Sequence, residues 1–334
     1  MIYNKESRLS SINATNGDIN FTNNSSSWHA GAILNAGGYL NLNATGGDII
    51  FTGNLADHSS NCINNSTEYP KDPWRNHDFL GHVNFNAANG HSIILNDSMS
   101  GYQGTYVTKD GDGTLNLNAD MNGYSPDLTI NDGIIKLGAN GTMFNPTKTT
   151  VNGGMFDFQN YEIQQTNLGA LTLNSDMEVK LDIDLYSTTS KIDNFVANSV
   201  ADGDKKFIIR AANLKMLSDP DVTSAVATVA NNVIQNRVVI DDVSKFYNIQ
   251  GSSHPWLLDY DSTTGQLSFT RVTLNIAVNS DISNKVYNML KTEYATGDLG
   301  ALGGKSLTIN ANNKLNNNRL IYTPPQPHCP TYNV

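Results

Sequence analysis

An internal repeat constrains this chain more than any other feature of its sequence. Asn13-Ala14-Thr15-Asn16-Gly17-Asp18-Ile19-Asn20-Phe21-Thr22 returns 30 residues later as Asn43-Ala44-Thr45-Gly46-Gly47-Asp48-Ile49-Ile50-Phe51-Thr52. Ile2-Tyr3-Asn4 returns as Ile33-Leu34-Asn35. A five-residue unit occurs as Leu40-Asn41-Leu42-Asn43-Ala44, Val83-Asn84-Phe85-Asn86-Ala87 and Leu115-Asn116-Leu117-Asn118-Ala119. Each unit alternates apolar and polar residues, the period of a half-buried strand. Gly-Gly, Asn-Gly and Asp-Gly pairs follow, supplying the positive φ angles of tight turns. So short a unit cannot bury its own apolar face. Stacked on its neighbours it completes a continuous core, which is how solenoids fold.

The expected fold is all-β: a right-handed parallel β-helix with coils of about 20–45 residues and a few short helices towards the C-terminal part. Alternation assigns Ile19, Phe21, Leu40, Leu42, Ile49, Phe51, Val83, Phe85, Leu115 and Leu117 to the repeat core. Asn41, Asn84 and Asn116 should face outward. A β-sandwich would show more hairpin signals and a more varied core. A membrane barrel needs strands of about 9–11 residues with aromatic girdles, longer than the alternating runs here.

Four regions follow from the pattern. Residues 1–200 read as regular rungs, interrupted by a side loop from Cys62 to Asp78 that carries Pro70, Pro73 and Trp74. Residues 201–275 read as a continuation with a short helix, where Asp219-Pro220-Asp221 precedes Val222, Ala225, Val226, Val229 and Val233. Residues 276–322 read as a second helix, Ile282 to Tyr294, and a new β stretch at Ser306–Asn310. Residues 323–334 hold four of the ten prolines and read as a disordered tail.

Lys109-Asp110-Gly111-Asp112-Gly113-Thr114-Leu115-Asn116-Leu117, then Asn122-Gly123-Tyr124, then Leu128 to Gly138 with Gly133 and Leu137, resembles the passenger-associated transport repeat of autotransporters. Pro126 stands where that family has a glycine. Phe21-Thr22-Asn23-Asn24 and Phe51-Thr52-Gly53-Asn54 are similar to the Phe-x-x-Asn element of polymorphic outer-membrane-type passengers, as Gly31-Ala32-Ile33 is to their Gly-Gly-Ala-Ile. Ala170–Asn174, Val179–Asp184 and Tyr260–Phe269 look like later passenger segments, so the resemblance spans residues 1–275. It implies secretion through a C-terminal β-barrel, display at the cell surface or outer membrane, and adhesion to protein or glycan on host or neighbouring cells. Met1-Ile2-Tyr3-Asn4-Lys5 lacks the apolar core of a signal peptide, so a piece of a longer precursor is expected, with open ladder ends prone to self-association.

Charge and composition narrow the partners. The formal net charge is −10 and no Lys/Arg run could neutralise successive phosphates, which argues against nucleic acid. No apolar run approaches the roughly 20 residues of a membrane-spanning helix. Cys62 and Cys329 fit no metal or redox spacing.

Several groups invite a chemical reading. Asp110-Gly111-Asp112-Gly113 is similar to part of a calcium loop, but lacks the closing Glu and reads better as a turn. His77, His82 and His91, with Asp72 and Asp78, lack zinc-ligand spacing and read as surface residues of the side loop. Trp28, Trp74, Trp256, Tyr102, Tyr106 and Tyr124 could stack on sugars, although such residues more often cover a core. Asp182 and Asp184 share one strand face, as the paired carboxylates of a glycosidase would, but they also match any solvated strand face. The expectation is a non-catalytic protein without metal or cofactor, and the rival is a polysaccharide-cleaving β-helix.

Overall fold

The computed structural model describes residues 2–5, 8–27, 29–67, 79–185, 191–210, 213–218, 222–240, 246–247, 256–271, 306–308 and 331–333. The regular secondary structure among them is almost entirely β, and most strands lie in three parallel sheets. A four-stranded sheet contains Ile2–Lys5, Ile33–Ala36, Ile63–Ser66 and Met99–Gly101. An eight-stranded sheet begins with Leu9–Ala14, Tyr39–Ala44, His82–Ala87 and Tyr106–Asp110 and ends with Ser199–Val200. A nine-stranded sheet begins with Ile19–Thr22, Ile49–Thr52, Ser92–Leu95 and Thr114–Leu117 and ends with Val238–Ile240. The first four passes of the chain visit the three sheets in that order, and each strand is added beside the equivalent strand of the previous pass.

The repeats coincide with the pairing register. Ile2 lies opposite Ile33 and Asn4 opposite Asn35. Asn13 lies opposite Asn43, Ile19 opposite Ile49 and Phe21 opposite Phe51. Leu40 and Leu42 lie opposite Val83 and Phe85. The third copy of the five-residue unit departs from this pattern. Leu115 and Leu117 belong to the nine-stranded sheet, between Ile93/Leu95 and Ile135/Leu137, whereas Val83 and Phe85 continue to Val107 and Lys109. A period-two motif specifies a strand and its inward face, but not which sheet receives it.

The inward residues form one continuous core. Leu40, Leu42, Ile49, Phe51, Val83, Phe85, Leu115 and Leu117 are buried. Ile19 and Phe21 are only half-buried, because their strand is at the edge of its sheet, though Phe21 stacks on Phe51 at 4.6 Å. Asn41, Asn84 and Asn116 are half-buried on the opposite strand face.

The asparagine richness has a structural use. Equivalent residues of successive parallel strands lie about 4.8 Å apart, so each amide can donate to the next and accept from the previous one. On the outside, Asn43 donates to Asn13 (2.7 Å) and Asn86 to Asn43 (3.0 Å). Further along, Asn131 donates to Asp110, Asn152 to Asn131 and Asn174 to Asn152. Inside, buried Asn4, Asn35 and Asn65 form a second ladder, at 2.7 and 2.8 Å, that ends on the Tyr124 hydroxyl.

The part beyond residue 200 differs from the expectation. Phe207–Ile209 and Val238–Ile240 extend the nine-stranded sheet, but Trp256–Asp261 and Gln266–Arg271 form an antiparallel hairpin rather than a rung. Ser224–Thr228 pairs antiparallel with Gln266–Arg271, so the expected helix is a strand here. The β-branched residues Val222, Thr223, Val226, Thr228 and Val229 favour that outcome. Helical structure there includes a 3-10 turn, Gln235–Arg237. The hairpin is tied to the parallel part where Tyr260 donates to the Gln235 carbonyl at 2.7 Å.

The side loop expected from Cys62 to Asp78 is contradicted at its start. Cys62 is buried and Ile63–Ser66 is a paired strand. Residues 68–78 lie outside the described residues, with Trp74, His77, Asp72 and Asp78 among them, as do Trp28 and the helix expected from Ile282 to Tyr294. Thr331–Asn333, expected to be disordered, is a strand parallel to Ser306–Thr308.

Candidate functional site

Two polar centres stand out, and the first gathers residues of the segment that resembles a transport repeat. Lys109 alternates inward and is fully buried, with its ammonium at the turn between two strands. It donates to the carbonyls of Asp110 (2.8 Å), Gly111 (2.5 Å) and Asp132 (3.2 Å). Gly111 and Gly133 have φ of +69° and +74°, which turns the chain sharply beside the ammonium. A Cβ on Gly133 would lie 2.3 Å from the Gly111 carbonyl and 2.5 Å from Lys109 Nζ. Three motif residues spread over two rungs therefore meet at one point. Burial pulls the Lys109 pKa down to about 8, against the nearby Asp132, Asp110 and Asp112 carboxylates. The calcium-like turn thus already holds a positive charge on two of its carbonyls.

The other motif residues are mostly core. Gly113, Leu115, Leu117 and Leu137 are buried, while Thr114 and Gly138 are half-buried. Tyr124 is core: it is fully buried, packs edge-on against Phe144, and bonds Asn65 and Thr105 through its hydroxyl at 2.8 and 2.7 Å. Trp256 is likewise buried, so neither can stack on a sugar from solvent. Tyr102 and Tyr106 are exposed.

His82 belongs to the strand His82–Ala87 rather than to a loop. It is sandwiched between Tyr39 and Tyr106 at 4.4 and 4.2 Å, and burial lowers its pKa. His91 Nδ1 lies 3.7 Å from Asp48 Oδ1. Among the described residues, no three His, Cys, Asp or Glu side chains are placed to hold a metal ion.

The second centre is a pocket of about 280 Å³ lined by residues that include Tyr161, Glu162, Asp182, Asp184, Lys191 and Lys215. Asp182 does not face solvent as its alternation suggested; it is buried. Its Oδ2 accepts from the amides of Asn160 (2.6 Å) and Tyr161, while its Oδ1 has no hydrogen-bond partner. Antiparallel pairing of Ile183 with Ile192 brings Asp193 alongside. Asp193 accepts from the amides of Asp182 (2.6 Å) and Gln164 (2.9 Å). Burial raises Asp182 to about 6 and Asp193 to about 8, in each case against the amides that favour the charged form. Lys215 donates to the Gln159 carbonyl at 2.6 Å and sits 4.4 Å above the Tyr161 ring.

Of this pocket the sequence indicated only Asp182 and Asp184. Asp193, Tyr161, Glu162, Lys191 and Lys215 carry no motif, because strand pairing and not spacing collects them. No protein-family profile, curated protein or solved structure matches the chain.

Proposed function

We propose that this chain is a stretch of an autotransporter passenger, folded as a right-handed parallel β-helix and displayed on a cell surface as a non-catalytic adhesive or structural element. The observation that carries most weight is the convergence of Lys109, Gly111 and Gly133. It gives the transport-repeat resemblance a physical reason at motif positions 24 residues apart. The ordered visits to three parallel sheets support the β-helix, and parallel crossovers are right-handed in about 98% of cases. Lateral loops on a rigid scaffold are where recognition tends to reside, which points to residues 68–78 as a contact element. No described helix is long and apolar enough to cross a membrane.

The test is display. The chain is fused between a secretion signal and an autotransporter barrel, and cells are scored for external antibody labelling and for attachment to epithelial layers. Labelling with attachment above that of barrel-only cells is expected, and deletion of 68–78 should reduce attachment. The excision must spare residues 62–67, since Cys62 is core and Ile63–Ser66 is a sheet strand. Absence of external labelling sinks the proposal. The glycan-cleaving rival gains if the purified chain turns over a polysaccharide and Asp182→Asn or Asp184→Asn abolishes turnover.

A further inference from the structure

We infer that this chain modifies itself at three surface turns, by deamidation of Asn16, Asn89 and Asn122. Two further turns of the same local sequence, at Asn140 and Asn152, are kept unreactive by the fold. The sequence contains five Asn-Gly pairs: Asn16-Gly17, Asn89-Gly90, Asn122-Gly123, Asn140-Gly141 and Asn152-Gly153. In such a pair the glycine backbone nitrogen attacks the asparagine Cγ. A C–N bond forms, ammonia leaves, and water opens the resulting five-membered succinimide. Opening at one carbonyl gives aspartate and at the other isoaspartate, with water as the only co-reactant. Glycine suits the reaction because it has no side chain to block the approach and its backbone turns freely.

All five asparagines are exposed, so exposure does not separate them. Their bonding does. The two reacting groups must swing into contact, and hydrogen bonds that hold either one oppose this. Among the described residues, the side chains of Asn16, Asn89 and Asn122 make no hydrogen bond, and neither do the N–H groups of Gly17, Gly90 and Gly123. A Cβ on any of these three glycines would meet nothing within 4 Å, so there is room for the ring to close.

The other two pairs are held at opposite partners of the reaction. Asn152 donates to Asn131 at 2.7 Å and accepts from Asn174 at 2.8 Å, and must give up both bonds to turn back on Gly153. At Asn140 the nucleophile is tied instead. Gly141 is buried, its N–H donates to the Gly138 carbonyl at 2.9 Å, and its own carbonyl accepts from Gln164 at 2.8 Å. A Cβ there would run into the Leu117 carbonyl.

Asn16 and Asn89 occupy equivalent corners between the eight-stranded and nine-stranded sheets. One corner joins Leu9–Ala14 to Ile19–Thr22, and the other joins His82–Ala87 to Ser92–Leu95. Each conversion adds one negative charge to a chain whose formal net charge is already −10. Because the altered backbone lies outside the strands, the sheets stay paired while one edge of the molecule becomes more acidic.

The experiment incubates the purified full chain in mildly alkaline buffer, beside the same chain unfolded in guanidinium chloride. Peptide mass spectrometry reads a gain of one mass unit at each site. The five sites should react at similar rates in the unfolded chain. In the folded chain Asn16, Asn89 and Asn122 should react about tenfold or more faster than Asn140 and Asn152, the factor expected when hydrogen bonds must break first. Asn174→Ala, at an exposed position, removes one bond from Asn152 and should speed that site several-fold while leaving Asn140 unchanged.

Equal rates at all five sites in the folded chain overturn the inference, as does modification led by Asn140 or Asn152. Silence at Asn16, Asn89 and Asn122 while the unfolded chain reacts overturns it too. An unchanged Asn152 rate in folded Asn174→Ala removes the amide ladder as the protecting device.

Discussion

Replacing Lys109 by Met keeps the buried stem and removes the ammonium. Three carbonyls, on Asp110, Gly111 and Asp132, then lose their donor. Hydrogen bonds from a charged group contribute about 1.5–3 kcal/mol each, but the desolvation that lowers the Lys109 pKa to about 8 offsets part of that sum. Asp132 is exposed, so its carbonyl can recover a bond to water. A net loss of about 2–4 kcal/mol is expected, concentrated in the two rungs that share the ammonium. The assay is urea denaturation with hydrogen exchange over residues 106–137, using Lys136→Met on an exposed position as the control. The sign of the pH effect gives a second reading. The folded-state pKa of about 8 lies below the ordinary 10.5, so the unfolded chain binds more protons between these values. Wild-type stability should therefore rise from about pH 8 to 10.5, and the Met variant should lack that slope. An unchanged midpoint and unchanged exchange in Lys109→Met would refute the idea that the cradle holds the rungs together.

Leu117→Asp places an unpaired charge between Leu95 and Leu137, and should cost about 3–5 kcal/mol by urea denaturation. Asn116→Asp should stay within about 1 kcal/mol; equal losses from the two would contradict the register. Asp193 has a raised folded-state pKa of about 8 against an ordinary 3.8, so its contribution to stability is fully present below about pH 3.8 and is lost as pH rises through 8. Hydrogen exchange of the strands Asp182–Leu185 and Asn194–Val196 should accelerate from pH 5 to 8 beyond the intrinsic rate. Asp193→Asn should flatten that excess, and the same pH dependence in both proteins would count against a buried, proton-favouring Asp193.

Alternation identified strands, and the 30-residue repeat identified which of them are neighbours. Asn13 to Thr22 and Asn43 to Thr52 pair in the register their similarity implied, because stacked parallel strands place like residues opposite like. Lys109, Gly111 and Gly133 could be marked as special by resemblance, but their convergence could not be seen, since it depends on two turns from different rungs lying against each other. Residues 222–229 misled for a local reason: short apolar spacings fit a helical face as well as a strand, and only pairing with Gln266–Arg271 decides between them.

The sequence by itself determined the inward face of the repeat strands and their register, because period-two patterning and like-on-like stacking are local rules. Tertiary structure decided where the Leu115 unit joined, which tyrosine became core, and that Asp182 turned inward. Those outcomes depend on what lies across a sheet or a hairpin. Asp182 is the clearest instance: its strand pattern puts it outside, but the amides of Asn160 and Tyr161 and the hairpin carrying Asp193 enclose it. A carboxylate held by backbone from another pass of the chain leaves no trace in local spacing.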